Sequence, residues 1–378
     1  MKKIPFVFAL LACLACEKEQ ITSADPVVND PFAGVLNLPE NPFNYNFALP
    51  AYLTNGPVAA ADNAPLDNPI TNEGATLGRV LFYDKILSIN NTISCGSCHQ
   101  QDKGFSDPLI FSDGFDGGKT GRHSMSLANS RFYNNGRFFW DERAETLEDQ
   151  VLMPIQDEVE MGMTLDSLIQ RLNTLDYYPP LFTDAFGDAT INEERISRAM
   201  AQFVRSMTSH TSKYDEGRQQ VANAGAAFPN FTALENQGKA LFLNPQIGCA
   251  ACHGTDAFIA PEARNNGLDA SLTDQGAGVN GDPQQNGKFK VGSLKNVGLT
   301  APYMHDGRFT TLREVIEHYN SGVQDNPSLD APLRLPGNGG VRRLNLTETE
   351  KDALVAFLHT LSDDVMINDE KFSDPFVN

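Results

Sequence analysis

Cys95-Gly96-Ser97-Cys98-His99 and, further along, Cys249-Ala250-Ala251-Cys252-His253 are the stretches from which the rest of the chain can be read. Of the six cysteines only Cys13 and Cys16, near the N-terminus, fall outside them. In an oxidising compartment four cysteines are by default two disulfides, and a Cys-x-x-Cys pair also serves as a redox couple or half a zinc site. The His directly after each pair changes that reading. Cys-x-x-Cys-His is the attachment motif of c-type haem: the two thiols add to the vinyl groups as thioethers, and the next imidazole reaches the iron. Two copies predict two covalent haems, with His99 and His253 as iron ligands.

The N-terminus supports an oxidising location. Lys2 and Lys3 precede an apolar run from Ile4 to Ala15. That run is shorter than the roughly 20 residues needed to span a bilayer, so residues 1–16 read as a signal peptide. A small residue before Cys resembles a bacterial lipoprotein cleavage box. Cys16, followed by Glu-Lys-Glu, is the better lipid acceptor and Cys13 the alternative; a plain secretory signal with incidental cysteines stays open. Each version places the mature protein in the periplasm or cell envelope, with a lipid anchor rather than a transmembrane helix in the lipoprotein version.

At 378 residues, with 41% apolar and 20% charged residues, the composition is that of an ordinary globular protein of two or three domains. The formal charge of −19 argues against a nucleic-acid partner and is compatible with a basic protein partner.

Residues 17–69, rich in Pro, Asn, Ala and Asp, read as a tether followed by an extended, loosely structured arm. An internal repeat follows. Gly78-Arg-Val-Leu81-Phe82 leads to the first haem motif and Gly238-Lys-Ala-Leu241-Phe242 to the second. The remaining patterns are helical. Thr190-x-x-Glu193 reads as a capping box before Ile196, Met200, Phe203 and Met207; Thr311-x-x-Glu314 opens a helix through Tyr319 that ends at Asn320-Ser321-Gly322; Thr347-x-x-Glu350 opens a last helix. The Gly- and Asn-rich stretch 263–290 is a loop. The predicted fold is all-α: an N-terminal haem domain over 70–225, a C-terminal haem domain over 230–362, both of cytochrome c type with long loops, and a tail over 363–378.

With these residues in hand the chain resembles the bacterial di-haem cytochrome c peroxidases and the related MauG enzymes. The resemblance runs from Leu77-Gly-Arg-Val-Leu-Phe-Tyr-Asp84 through Phe139-Trp140-Asp141-Glu142-Arg143-Ala144, Leu147-Glu148-x-Gln150 and Glu160-Met161-Gly162 to Leu294-Lys295-Asn296-Val297 and Thr300-Ala301-Pro302-Tyr303-Met304-His305-Asp306-Gly307. It implies that the haem on His99 meets hydrogen peroxide and that the haem on His253 passes electrons inward. It implies catalytic roles for Glu160 and its companion Gln150, and an electron relay through Trp140, the only Trp. It places Tyr319 as sixth ligand of the second haem, where the peroxidases usually have Met and MauG has Tyr. Met304 is a rival, and His305 reads as a structural or propionate-contacting residue.

Two departures stand out. Many peroxidases carry a His that caps the first iron until activation; Phe115 stands there instead, which implies a first haem open as made. The family's calcium ion between the domains, held by carbonyls matching Thr300 and Pro302 and by an Asn after Arg122, meets His123 at the Asn position. Calcium prefers oxygen, so the calcium site stays open, as does the alternative that His123 caps the first iron.

The leading functional expectation is a di-haem c-type peroxidase that reduces hydrogen peroxide to water with electrons from a small c-type cytochrome or similar donor. The alternative is a MauG-like oxidase that uses peroxide-derived high-valent iron to oxidise a protein or organic substrate. A di-haem electron carrier is disfavoured, since a carrier has no use for Gln150 and Glu160. The family's habit of pairing makes a homodimer an expectation.

Overall fold

Thr71 starts the first long helix, Asn72–Tyr83, by accepting a hydrogen bond from the Gly74 amide. Such a cap is worth about 1 kcal/mol. The helix crosses Glu193–Ser206 at Gly78, where an added Cβ would lie 2.1 Å from the Ala199 carbonyl oxygen. Only Gly lets the two backbones approach so closely. The same device recurs in the second half. Thr232 and Glu235 form a capping box for the helix Ala233–Leu243, Thr347 and Glu350 another for Glu348–His359, and a Cβ at Gly238 would lie 1.8 Å from the Ala353 carbonyl oxygen. Each half is thus a helix pair locked at a glycine, with the haem motif just after the first member.

The computed structural model describes residue 1, residues 30–337 and residues 339–377. The signal segment with Cys13 and Cys16 lies outside them. Among the described residues, extended pairing is confined to isolated bridges. No helix there is long and apolar enough to cross a membrane. The all-α expectation holds.

Two apolar cores match the two halves. The first contains Leu77, Leu81, Phe82, Ile196, Met200 and Phe203. The second contains Phe242, Phe258, Phe357 and Leu361, and it already includes Tyr214 and Phe228. The chain therefore enters the second core ahead of residue 230. The tail folds back in the other direction: Met366 and Phe372 pack into the first core, and the carbonyls of Phe372 and Ser373 accept from Tyr83 Oη and Arg79 Nε.

The described part of the arm, residues 30–69, is not loose and holds two short helices, Ala51–Thr54 and Gly56–Ala59. Leu36, Tyr45, Leu53 and Val58 are buried. Leu53 and Val58 form a small cluster with Phe132 of the first half and with Ala257 and Ile259 of the second. The Tyr52 hydroxyl donates to Asp215 at 2.8 Å, and Asp215 pairs at 2.5 Å with Lys295, both side chains fully buried. The arm thus straps the two halves together.

Two helix expectations change. Asn192, not Thr190, caps Glu193–Ser206, its side chain accepting from Arg195 N; Thr190 instead sits in a turn on Asp188. The Thr311–Glu314 capping box does open a helix, Leu312–Glu317, but the chain then widens into a π-helical turn, His318–Gly322. Tyr319 stands in that turn. Such insertions are rare and are often found at functional sites.

Candidate functional site

Both haem motifs are built alike. Cys95–Cys98 is a single helical turn in which Ser94 and Ser97 cap each other; Cys249–Ala251 is a tighter 3-10 turn. His99 Nδ1 lies 3.0 Å from the Phe105 carbonyl oxygen, and His253 Nδ1 lies 3.1 Å from that of Phe258. Each carbonyl faces its imidazole because Phe105 (φ 60°) and Phe258 (φ 55°) adopt the left-handed conformation, at a cost of about 1–3 kcal/mol each. The bond protonates Nδ1 and leaves Nε2 for a metal. Burial depresses the pKa of both imidazoles, which keeps them neutral as ligation requires. All four thiols are free, and burial pushes Cys95 and Cys249 up to about 12.

Each motif opens on a cavity. The one on His99 measures about 860 Å³ and the one on His253 about 290 Å³. Paired free thiols beside a neutral imidazole, on the wall of a cavity, fit a covalently attached haem in both places.

The larger cavity gathers Gln150, Glu160 and Trp140 with His99. Glu160 is held by its backbone: its amide donates to Asp157 Oδ1 at 3.0 Å, and its carbonyl accepts from Phe115 N at 3.0 Å. Burial, reinforced by the Asp157 charge and opposed by Arg143, pushes its carboxyl up to about 7. Phe115 turns away from the cavity, and its ring packs on Gly162, where an added Cβ would lie 2.6 Å from the ring. His123 does not cap either. Its ring lies 3.2 Å from Ser106 Oγ and 3.0 Å from the Leu109 carbonyl.

The smaller cavity gathers His253, Tyr319 and Met304. Both candidate sixth ligands are therefore in the same place. Asn266 Nδ2 lies 3.4 Å from Tyr319 Oη and 3.4 Å from Met304 Sδ. Burial pushes the phenol up to about 12, and the Asn266 hydrogen bond pulls the other way.

Trp140 lines both cavities. Its indole N–H donates to the His123 carbonyl at 2.7 Å, and its edge meets His305, with ring centroids 6.4 Å apart. His305 stacks on Phe289 and also lines the smaller cavity. Arg122 clamps this seam with ion pairs to Asp141 and Asp274. Lys290 N donates to the Trp140 carbonyl, and burial brings the Lys290 ammonium down to about 7.

Thr300 and Pro302 line the smaller cavity, but the third expected calcium donor is His123, whose ring is already engaged. Calcium takes about six to eight oxygen ligands. Two carbonyls and an occupied imidazole do not fit that ion.

A second internal repeat went unread in the sequence. Phe138 bridges to Ala144 and Tyr303 to Phe309. Phe139 (φ 68°) and Met304 (φ 75°) share a left-handed backbone, and Thr146 and Thr311 each cap the helix that follows. Trp140 thus matches His305 in the other half. At the same distance beyond the two caps stand Pro154, on the wall of the larger cavity, and Tyr319 in the smaller one. Pro has no side-chain donor; Tyr has one. The signal was the pair Thr146-Leu147 and Thr311-Leu312. Asn266 and Lys290 carried none, since both lie in the irregular loop.

Comparison with known proteins agrees with this architecture. The family model for di-haem cytochrome c peroxidase matches residues 72–223. The methylamine utilization protein MauG of Methylophilus methylotrophus is 33% identical over 305 residues, covering 79% of this chain and 85% of that one. The cytochrome c551 peroxidase of Nitrosomonas europaea is 30% identical, covering 84% and 90%. The crystal structure of a MauG-like protein associated with microbial copper homeostasis superposes with a TM-score of 0.74 at 33% identity, covering 87% of this chain and 99% of that one. The chain belongs to the di-haem cytochrome c peroxidase and MauG family of oxidoreductases, which implies two haem c groups.

Proposed function

We propose that the protein is an exported peroxidase that reduces hydrogen peroxide to water with electrons from a small c-type cytochrome or similar redox protein. The observation that carries this reading is Glu160. Its half-buried carboxyl, raised to about 7, sits on the wall of the larger cavity with His99. A proton carrier works best when its pKa lies near the working pH.

The bound haems would supply redox-active iron, attached through Cys95 and Cys98 with His99, and through Cys249 and Cys252 with His253. Glu160 takes a proton from peroxide and returns it to the departing oxygen. Gln150 orients the peroxide beside it. The balance is one peroxide, two electrons and two protons to two waters, with the electrons delivered by the donor protein. Trp140 carries them across the seam between the cavities. With the haems bound, Tyr319 would offer the second one a phenolic oxygen, whereas Pro154, at the matching place in the first half, would offer none. That arrangement supports turnover without prior reduction.

The second reading, a MauG-like oxidase of a protein or organic substrate, is favoured by Tyr319 and by Phe115 in place of a capping His. Steady-state peroxide consumption by the holoprotein, with a reduced small c-type cytochrome, separates the two. Rapid donor oxidation from the resting ferric state is expected. No donor oxidation, with peroxide bleaching the haem spectrum instead, contradicts the peroxidase reading and leaves the oxidase. The reading includes a lipid anchor on Cys16, or on Cys13, and a homodimer; mass spectrometry of the mature N-terminus and sedimentation test these.

A further inference from the structure

The smaller cavity offers its iron two donors of opposite character. Tyr319 Oη and Met304 Sδ each lie 3.4 Å from one atom, Asn266 Nδ2, so they cannot be more than twice that distance apart. Both line the cavity that His253 enters. Asn266 is itself fixed, because its carbonyl lies 3.0 Å from His318 Nε2. The turn bearing Met304 repeats the one bearing Phe139, and each residue lines the cavity of its own half. In the first half that place is hydrocarbon; in the second it is a thioether. Tyr319 stands on a π-helical turn, an irregularity often found at functional sites.

Phenolate oxygen suits ferric iron, while a soft thioether suits ferrous iron and raises the potential. We propose that Met304 is the sixth ligand of the second haem in its reduced state and Tyr319 in its oxidised state, with Asn266 positioning both. This rests on the reading of Tyr319 as the ligand of the resting protein. One electron from the donor protein reduces the ferric iron. The phenolate leaves and takes one proton from water, and Met304 sulfur takes its place without changing oxidation state. The amide of Asn266 holds whichever donor has been released.

The test is proton NMR and optical spectroscopy of the holoprotein, oxidised and then reduced with dithionite. The expected result is a phenolate charge-transfer band in the ferric protein that Tyr319→Phe removes. On reduction, the strongly upfield methyl resonance of an iron-bound methionine appears, and Met304→Leu abolishes it. Methionine labelled with 13C at the methyl group gives the same readout in the unsubstituted chain, independent of how a variant folds. A ferric phenolate band with no upfield methyl on reduction overturns the switch and leaves the Tyr319 reading standing. Methionine ligation already in the ferric state overturns both.

Discussion

The two halves of this molecule solve the same attachment problem and then part company at the far side of the haem. Each uses a helix pair crossed at a glycine, a Cys-x-x-Cys-His turn, and a left-handed Phe whose carbonyl orients the ligand imidazole. Beyond that the repeat is broken where function demands. Pro154 in the first half stands where Tyr319 stands in the second, and the first cavity is about 860 Å³ against about 290 Å³. The larger one also holds a carboxyl raised to about 7. Duplication thus accounts for the scaffold, and a few substitutions separate a reacting site from an electron-relay site.

The comparison breaks most sharply at Glu160. Glu160→Gln should lower peroxide turnover about 10²- to 10⁴-fold, the range for a positioned proton carrier, with haem content unchanged. The ionised carboxyl is the base, so turnover of the unsubstituted protein should rise with pH through about 7 and level off above it. The variant's residual rate should lack that limb; a retained limb means another group supplies it.

Pro154→Met should erase the difference from the other side by bringing a donor to the open face. Replacing a Pro inside the helix Leu147–Gln156 costs that helix nothing, so the readout is clean. The first haem should become six-coordinate and lose its affinity for small anions, and an unchanged high-spin spectrum counts against the repeat-based match.

The strap between the halves comes next. Lys295→Met leaves Asp215 buried without its cation, and loss of one partner of a buried pair costs about 3–5 kcal/mol. Denaturant unfolding should show that loss, and a change within error would mean that Tyr52 and Ser212 satisfy Asp215 without the cation. The smallest effects are the paired helix crossings. Gly78→Ala and Gly238→Ala each force a methyl against a backbone carbonyl and should cost about 1–3 kcal/mol, typical of overpacking. Similar costs in both halves support the duplicated scaffold; a clear asymmetry counts against it.

What the sequence disclosed follows from the range of the interactions involved. Cys-x-x-Cys-His, the capping boxes at Thr311 and Thr347 and the Gly-x-x-Leu-Phe repeat are local signals, and each appears in the fold where expected. Thr190 misled because Asn192 sits two residues on and makes the cap instead. The packing of the arm and tail was not legible, since Tyr45 donates to the carbonyl of Lys371 across nearly the whole chain. Asn266 was hidden for the same reason: its partners Met304 and Tyr319 come from other segments. The calcium expectation came from resemblance, and His123, its ring engaged with Ser106 and the Leu109 carbonyl, gives it no support. Glu160, Gln150 and Trp140 are expected from the resemblance and do share one cavity, whereas no local signal marks the seam of Arg122, Asp274 and Lys290 beside Trp140.

The most direct test of the division between the halves is a cyanide titration of the resting ferric holoprotein, followed by its optical spectrum. The expected result is one cyanide bound per chain without prior reduction, at the haem on His99, with the haem on His253 unchanged. No binding until the protein is reduced, or binding at both haems, would contradict an open first site beside a closed second one.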